Sequence, residues 1–244
     1  MVDAADLLTI DCGNSTLDCL RHADGARLRL PSDGTDLSLL GGLVEGRRIR
    51  RCVAASVVAN GLTAVLPFLA RCGIGVRVAG IDLHCPLRLD YDTPHTLGVD
   101  RWLGALAAHR RCGGAVVVDC GSATTLNLVE HDGTFRGGPI APGLRAFAAG
   151  MSAVTPALPP VHLDGVVEMP SRTSQKAVDT GVLLGYAGLV ERLVAGLLAA
   201  ARGPASVIVT GGNAARLLRH SRLRAAHEPD LVHIGLRHLA DGAP

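Results

Sequence analysis

One pattern occurs twice in this chain. An apolar run ends in Asp-Cys-Gly, hydroxyl residues follow, and Asp-Gly comes after the same spacing. The copies are LLTIDCGNSTLDCLRHADG at Leu7–Gly25 and AVVVDCGSATTLNLVEHDG at Ala115–Gly133. Between Asp11–Gly25 and Asp119–Gly133 seven of fifteen positions are identical, at a separation of 108 residues. A fold must give both copies equivalent places, so the pattern predicts a duplicated unit. Each copy reads as a buried strand (Leu7–Asp11, Ala115–Asp119), an Asp-x-Gly turn and a hairpin turning near Asp24-Gly25 or Asp132-Gly133.

The rest of the chain alternates strands with helices. Residues 27–59 alternate short apolar runs with turns such as Pro31-Ser32-Asp33-Gly34. CVAASVV (Cys52–Val58) and GVRVAG (Gly75–Gly80) read as strands. NGLTAVLPFLARCG (Asn60–Gly73) reads as a helix interrupted by Pro67, and LGVDRWLGALAAHRRCGG (Leu97–Gly114) as a helix with a basic end. GGPIAPG (Gly137–Gly143) is a loop before a helix that reaches about Val154 and is broken by PALPP. A long helix covers about Ser174–Arg202. Its glycines, Gly181, Gly185, Gly188 and Gly196, fall on or near one face and predict close helix packing. ASVIVTGGNAARLL (Ala205–Leu218) is strand, turn, helix, and LVHIG (Leu231–Gly235) is expected as a last strand. The expected architecture is a duplicated α/β domain with a cleft between the halves, residues 1–112 and 113–244.

Composition narrows the function classes. Apolar residues are 48% of the chain and aromatics 2%, so the core must be built from Val, Leu, Ile and Ala, which suits strands covered by helices. A net charge of +2 argues against a nucleic-acid binder, and Arg47-Arg48-Ile49-Arg50-Arg51 reads as a solvated turn and strand start. The seven cysteines have no CxxC spacing, which predicts reduced thiols in a cytoplasmic protein and no zinc site. The N-terminus has no basic region of a signal peptide, and no apolar run is read as long enough to span a membrane.

An Asp at a strand end, a glycine turn and hydroxyls suit a phosphate. The glycine lets backbone N–H groups approach an anion, the hydroxyls hydrogen-bond its oxygens, and the carboxylate can hold Mg²⁺ opposite them. Two such loops facing each other would clasp a polyphosphate from both sides. No GxxxxGK[ST] or GxGxxG competes. In YDTPHTLGVDRW (Tyr91–Trp102), Asp100 at a helix start can cap that helix, or can take the proton of an attacking hydroxyl. Arg101 can ion-pair at the surface or hold a substrate carboxylate. Tyr91 offers a ring and a hydroxyl, for packing or for a substrate.

Six segments in order resemble type III pantothenate kinases: DCGNS (Asp11–Ser15), YDTPHTLGVDR, DCGSATT (Asp119–Thr125), GGPIAPG, SRTSQKAVDTG (Ser171–Gly181) and VTGGNA (Val209–Ala214). The resemblance implies duplicated ribonuclease H-like, actin-like ATPase halves and phosphorylation of pantothenate by ATP, the first step toward coenzyme A. It implies that Asp11, Cys12, Gly13, Asn14, Ser15 and Ser122 bind ATP, with Mg²⁺ near Asp11, directly or through water. It implies Asp100 as the base, and Tyr91, Gly98, Val99, Asp100, Arg101 and Ser174 around pantothenate. Asp119 would hold K⁺ or NH₄⁺. The family is a cytoplasmic homodimer whose pantothenate pocket borrows from the neighbouring subunit, and the glycine-bearing helix is a candidate for that contact.

The departures from the family pattern are specific. Ser15, Ser122 and Ser174 stand where threonine is usual, and each keeps the hydroxyl. Asn127 replaces an aspartate and removes a charge from the ion environment; Phe147 replaces a frequent serine. The alternatives are a non-catalytic accessory protein on the same fold, motivated by Asn127, and a kinase of another small alcohol. The intact Asp11, Asp100-Arg101 and Asp119 argue for the enzyme.

Overall fold

The structure is a computed structural model that describes residues 6–32, 36–46 and 48–242. The expected turn at Asp33-Gly34, Arg47 of the basic run and the first five residues, read above for a leader, lie outside the described residues. The described residues form two compact units, one of residues 6–88, 92–107 and 230–242, the other of 89–91 and 108–229.

In the first unit, β1 (Leu7–Cys12), β2 (Thr16–Arg21) and β3 (Arg27–Pro31) form antiparallel hairpins. After α1 (Leu37–Val44), β4 (Arg51–Ser56) joins β1 in parallel. After α2 (Val65–Arg71), β5 (Gly75–Val78) joins β4 in parallel. The sheet order is β3-β2-β1-β4-β5. Pro67 does not interrupt α2: it is the third helical residue, where its missing N–H has no intrahelical partner to lose. A short β6 (Arg88–Leu89) and a 3-10 turn (Pro94–Thr96) precede α3 (Val99–Cys112).

The second unit repeats the plan. β7 (Ala115–Cys120), β8 (Ala123–Val129) and β9 (Thr134–Gly137) are antiparallel. β10 (Ile140–Pro142) pairs with β8, and α4 (Leu144–Val154) and α5 (Ser174–Ala200) follow. β11 (Ser206–Thr210) then joins β7 in parallel, and past α6 (Ala214–His220) β12 (Ala226–His227) joins β11 in parallel. The path β9-β8-β7-β11-β12 has the same order and strand directions as β3-β2-β1-β4-β5. The written repeat is thus a structural repeat, with one difference. Cys12 pairs with Leu17, but Cys120 pairs with Thr124, so the second turn is one residue tighter. Asp11 therefore faces Asp18 across the ladder, whereas Asp119 faces Thr125.

Each unit has its own aliphatic core. Leu8, Ile10, Leu17, Leu40 and Leu69 are fully buried in the first; Val116, Val118, Leu126, Val190 and Val209 are fully buried in the second. Helix α5 corrects two expectations. It has 27 residues and a window of mean hydropathy 1.7, so by length and composition it is long enough to cross a membrane. It serves as a core helix instead: Val178, Val182, Tyr186, Val190 and Val194 recur at helical spacing on a buried face, and the helix packs on β7 and β8. Of its glycines, Gly185 does face another helix, where a side-chain carbon would meet the Phe147 ring of α4 at an ordinary 3.7 Å, but the others do not mark close packing within the chain. A side-chain carbon at Gly181 or Gly188 would meet nothing within 4 Å, because those positions lie on the opposite, exposed face.

The last expected strand is a helix, α7 (Leu231–Ala240). Leu231, Gly235, Leu236 and Leu239 are buried at helical spacing, which the short apolar run LVHIG conceals when read alone. Helix α7 belongs to the first unit, where it packs on β1 and β4. Beneath it lies a buried polar group. Thr9 Oγ1 is 2.8 Å from His233 Nδ1 and 2.9 Å from His22 Nε2, and His233 Nε2 is 3.6 Å from Asp18 Oδ1. The Arg27 guanidinium grips Asp18 at 2.6 and 2.7 Å and also meets Asp230. Burial alone would raise the Asp18 carboxyl, but His233 and Arg27 outweigh it and hold it well below the usual range. Burial, with the repulsion of His233 and Arg237, pushes His22 down to about 4.

The sign follows from these shifts. Between about pH 6.5 and 4 the unfolded chain protonates His22 and the folded chain does not, so stability falls as pH drops through that window. Asp18 extends the loss below pH 4, where its carboxylate must be protonated. The melting temperature is expected to fall by on the order of 5 °C between pH 7 and 4.5, and His22→Gln to flatten that drop. A scan in which both proteins melt in parallel across pH excludes His22 as the cause.

Candidate active site

The first Asp-x-Gly loop is set by its own backbone. Gly13 N–H donates to Thr16 O at 2.9 Å and closes the turn. Ser32 braces it from outside, with Oγ donating to Asn14 O at 2.9 Å and N–H to Ser15 O at 3.3 Å. Asn14 and Ser15 are left exposed, and Asp11 half-buried, at the carboxyl end of β1. A side-chain carbon at Gly13 would meet its nearest neighbour at an ordinary 3.5 Å. The fold itself does not demand glycine there; close approach of a ligand to the backbone would. Cys12 points the other way. Its thiol is fully buried, and burial raises it despite a hydrogen bond from Ser56, so only its backbone is available to a nucleotide.

The second loop is assembled from three motifs. Asn213 N–H and Nδ2 donate to Cys120 O at 3.0 and 3.3 Å. Gly211 has φ +89°, and a side-chain carbon there would lie 2.4 Å from Asp119 Oδ1 and 2.7 Å from the Cys120 backbone. A side-chain carbon at Gly143 would lie 2.4 Å from Ser122 O. DCGSATT, GGPIAPG and VTGGNA are therefore one construction within the second unit, with Ser122 exposed and Asp119 half-buried. Below it, Thr124 Oγ1 meets Tyr186 OH at 2.7 Å, and burial pushes the Cys120 thiol up to about 12. Asn127 is buried on β8, opposite Val117 and two residues from Thr125.

Asp100 is the second residue of α3 and does not cap it from outside. Its Oδ1 accepts the Arg101 N–H at 2.8 Å, so the carboxylate folds back along the first turn. Burial raises its proton affinity, offset in part by that N–H and by the Arg101 charge. Arg101 is itself buried. Within the first unit, the loops after β4 and β5 and the approach to α3 line an open cavity of about 540 Å³. Val57, Leu62, Val78 and Val99 give it apolar walls, and Ser56, Asn60 and His95 polar ones; Gly98 lines it too.

The structure groups the remaining site residues by unit. Tyr91 belongs to the second unit, where its ring packs on Phe135 at 6.1 Å and over Gly137. Gly98 through Arg101 belong to the first. Ser174 is exposed at the start of α5, whose cap is Thr173, accepting from Lys176 N–H at 3.2 Å. Sequence reasoning missed Ser56 and Gly61. Gly61 sits where a side-chain carbon would lie 2.6 Å from Cys12 Sγ. The signal was the hydroxyl that ends the strand next to β1 and the glycine beyond it, at the carboxyl end of the sheet. Among the described residues no group of three His, Cys, Asp or Glu side chains is arranged to hold a metal. The donors present, carboxylates beside hydroxyls and glycine backbone, are hard oxygen ligands and anion binders of the kind Mg²⁺ and phosphate take.

A solved Campylobacter jejuni protein described as a Baf family transcriptional activator superposes with a TM-score of 0.63 at 21% identity, covering 96% of this chain and 98% of that one. Component A of (R)-2-hydroxyglutaryl-CoA dehydratase from Acidaminococcus fermentans superposes with a TM-score of 0.53 at 15% identity, covering 97% and 96%. These likenesses speak to the fold, the duplicated actin-like α/β architecture. The type III pantothenate kinase of Roseiflexus sp. (strain RS-1) is 34% identical over 248 residues, 95% of this chain and 96% of that one. With the sequence profile of the same family matching residues 7–196, the chain belongs to the type III pantothenate kinase family.

Proposed function

We propose that this chain transfers the γ-phosphoryl group of ATP to the primary hydroxyl of pantothenate, with Asp100 as the base. The placement of Asp100 carries the reading. It is a carboxylate of raised proton affinity, folded over Gly98 beside a cavity that Gly98 and Val99 help to wall. A carboxyl raised toward the working pH accepts a proton more readily than an ordinary one. The hydroxyl oxygen bonds to the γ-phosphorus, its proton passes to Asp100, and the bond to the β–γ bridging oxygen breaks to release ADP.

Tyr91, Gly98, Val99, Arg101 and Ser174 bind pantothenate in this reading, Arg101 through the carboxylate. Asp11, Gly13, Asn14, Ser15 and Ser122 hold the ATP phosphates, and Cys12 contributes through its backbone. Mg²⁺ fits near Asp11, where it would neutralise charge on the phosphates. K⁺ or NH₄⁺ fits at Asp119, with neutral Asn127 nearby on β8 as a polar neighbour in place of a charge. The exposed glycine face of α5 supports a second copy of the chain as partner. The seven free cysteines, three of them in the first core, support work in the reducing cytoplasm.

The test is ADP release by purified protein with Mg-ATP and pantothenate, in K⁺ or in Na⁺ alone, with the product weighed as 4′-phosphopantothenate. Product in K⁺ that fades in Na⁺ supports both the kinase and the Asp119 site. Folded protein that makes no product in either salt returns the field to an accessory protein or a kinase of another alcohol.

A further inference from the structure

We infer that Gly98 is a positioning residue whose missing side chain sets the aim of the Asp100 carboxylate. The inference rests on Asp100 as the base and assigns Gly98 a role apart from touching substrate.

Glycine is usually kept where the backbone is left-handed, and Gly98 is not among the chain's positive-φ glycines. The backbone there would accept alanine. What would not accept it is the neighbouring carboxylate. A side-chain carbon at Gly98 would lie 2.6 Å from Asp100 Oδ1, well inside contact, and 3.7 and 3.8 Å from Arg101 Cγ and Cδ, which is ordinary packing. The conflict is with one oxygen.

That oxygen is also the one that accepts the Arg101 N–H at 2.8 Å. The same N–H reaches Gly98 O at 3.2 Å, so Gly98, Asp100 and Arg101 share one hydrogen-bonded turn at the start of α3. Asp is short, with its carboxylate at the end of two rotatable bonds. An added methyl therefore displaces the carboxylate to another rotamer rather than moving the helix. Displacement breaks the Arg101 N–H bond and lifts the oxygen out of its buried seat. Arg101 is the charged group that acts on Asp100, and His95, from the preceding turn, borders the same cavity.

The experiment is a carboxyl ¹³C NMR titration of the wild type and Gly98→Ala, with Asp100→Asn assigning the signal, alongside kinetics and thermal melts. Asp100 is expected to titrate above the ordinary aspartate range in the wild type and closer to it in G98A. Turnover in G98A is expected to fall by about 10–100-fold, the cost of a misplaced catalytic group. The acid limb of kcat should move with the NMR midpoint, while KM for ATP holds. An unchanged midpoint overturns the inference, and so does a rise in pantothenate KM alone with the acid limb fixed. If G98A folds poorly, the D100A background decides: with no carboxylate for the added carbon to meet, G98A should there leave the melting temperature unchanged, and a further drop overturns the role. The NMR arm needs no turnover, so a wild type that makes no product would sink the kinase reading and leave the positioning claim separately judged.

Discussion

Asp100→Asn is expected to lower turnover by about 10²–10⁴-fold, the range for a lost general base, with pantothenate and ATP still bound and the fold intact. Asn keeps an oxygen at Oδ1 to accept the Arg101 N–H, so the first turn of α3 is preserved. It cannot take the hydroxyl proton. Stability should move the opposite way. Burial raises the folded carboxyl above its unfolded value, so ionised Asp100 costs stability above that raised value and costs nothing below the unfolded one. At neutral pH the Asn variant is relieved of that cost and should melt no lower than the wild type. Stopped-flow or coupled ADP assays with a parallel melt check both halves. Near-normal turnover removes Asp100 from the chemistry; a lost turnover with a collapsed melt would mean a structural role.

Gly211→Ala is expected to damage both the stability of the second unit and its nucleotide affinity. It asks a left-handed position to carry a side chain, and it drives that carbon to 2.4 Å from Asp119 Oδ1 and 2.7 Å from the Cys120 backbone. The Cys120 backbone cannot give easily, because Cys120 O already holds two hydrogen bonds from Asn213 and Cys120 is buried in the central strand, so the Asp119 carboxylate must swing aside. A stability loss of about 1–3 kcal/mol is the scale for such strain. ATP affinity should drop at least about tenfold, a 1.4 kcal/mol shift, since the loop bearing Asp119 and Ser122 is reshaped. Isothermal titration with a non-hydrolysable nucleotide measures it. Undiminished affinity in a folded variant would detach this loop from nucleotide binding.

The repeat was the most legible part of the fold because it is carried by consecutive residues. Strand, turn and hairpin each leave a local mark, and Asp24-Gly25 and Asp132-Gly133 turn where glycine's φ of +73° and +79° requires them to. What was hidden is non-local. The tighter second turn, which puts Thr125 rather than a carboxylate opposite Asp119, follows from ladder register and not from the shared letters. LVHIG holds too few residues to separate a strand from a helix, and the buried Leu236 and Leu239 that decide the matter lie beyond it. The α5 glycines promised packing that other residues on the helix provide, because a stripe of small residues does not say which face meets the sheet. In the site, the motif letters mark Asp11, Asp100 and Asp119, yet they do not tell an inward Cys12 from an outward Ser15. That distinction is made by strand alternation against a sheet the sequence does not draw.

The return of α7 has a consequence for synthesis. The sheet of the first unit is encoded by residue 78, but its cover over β1 and β4 comes from Leu231–Ala240. At ribosomal rates of about 5–20 residues per second, the intervening stretch takes on the order of ten seconds. For that interval the nascent first sheet has apolar surface and the polar group around Thr9 and Asp18 without their final partner. The second unit, all of whose elements precede α7, can close first. The half that is translated first is thus the half completed last, and nascent-chain chaperones have their clearest target on the β1–β4 face.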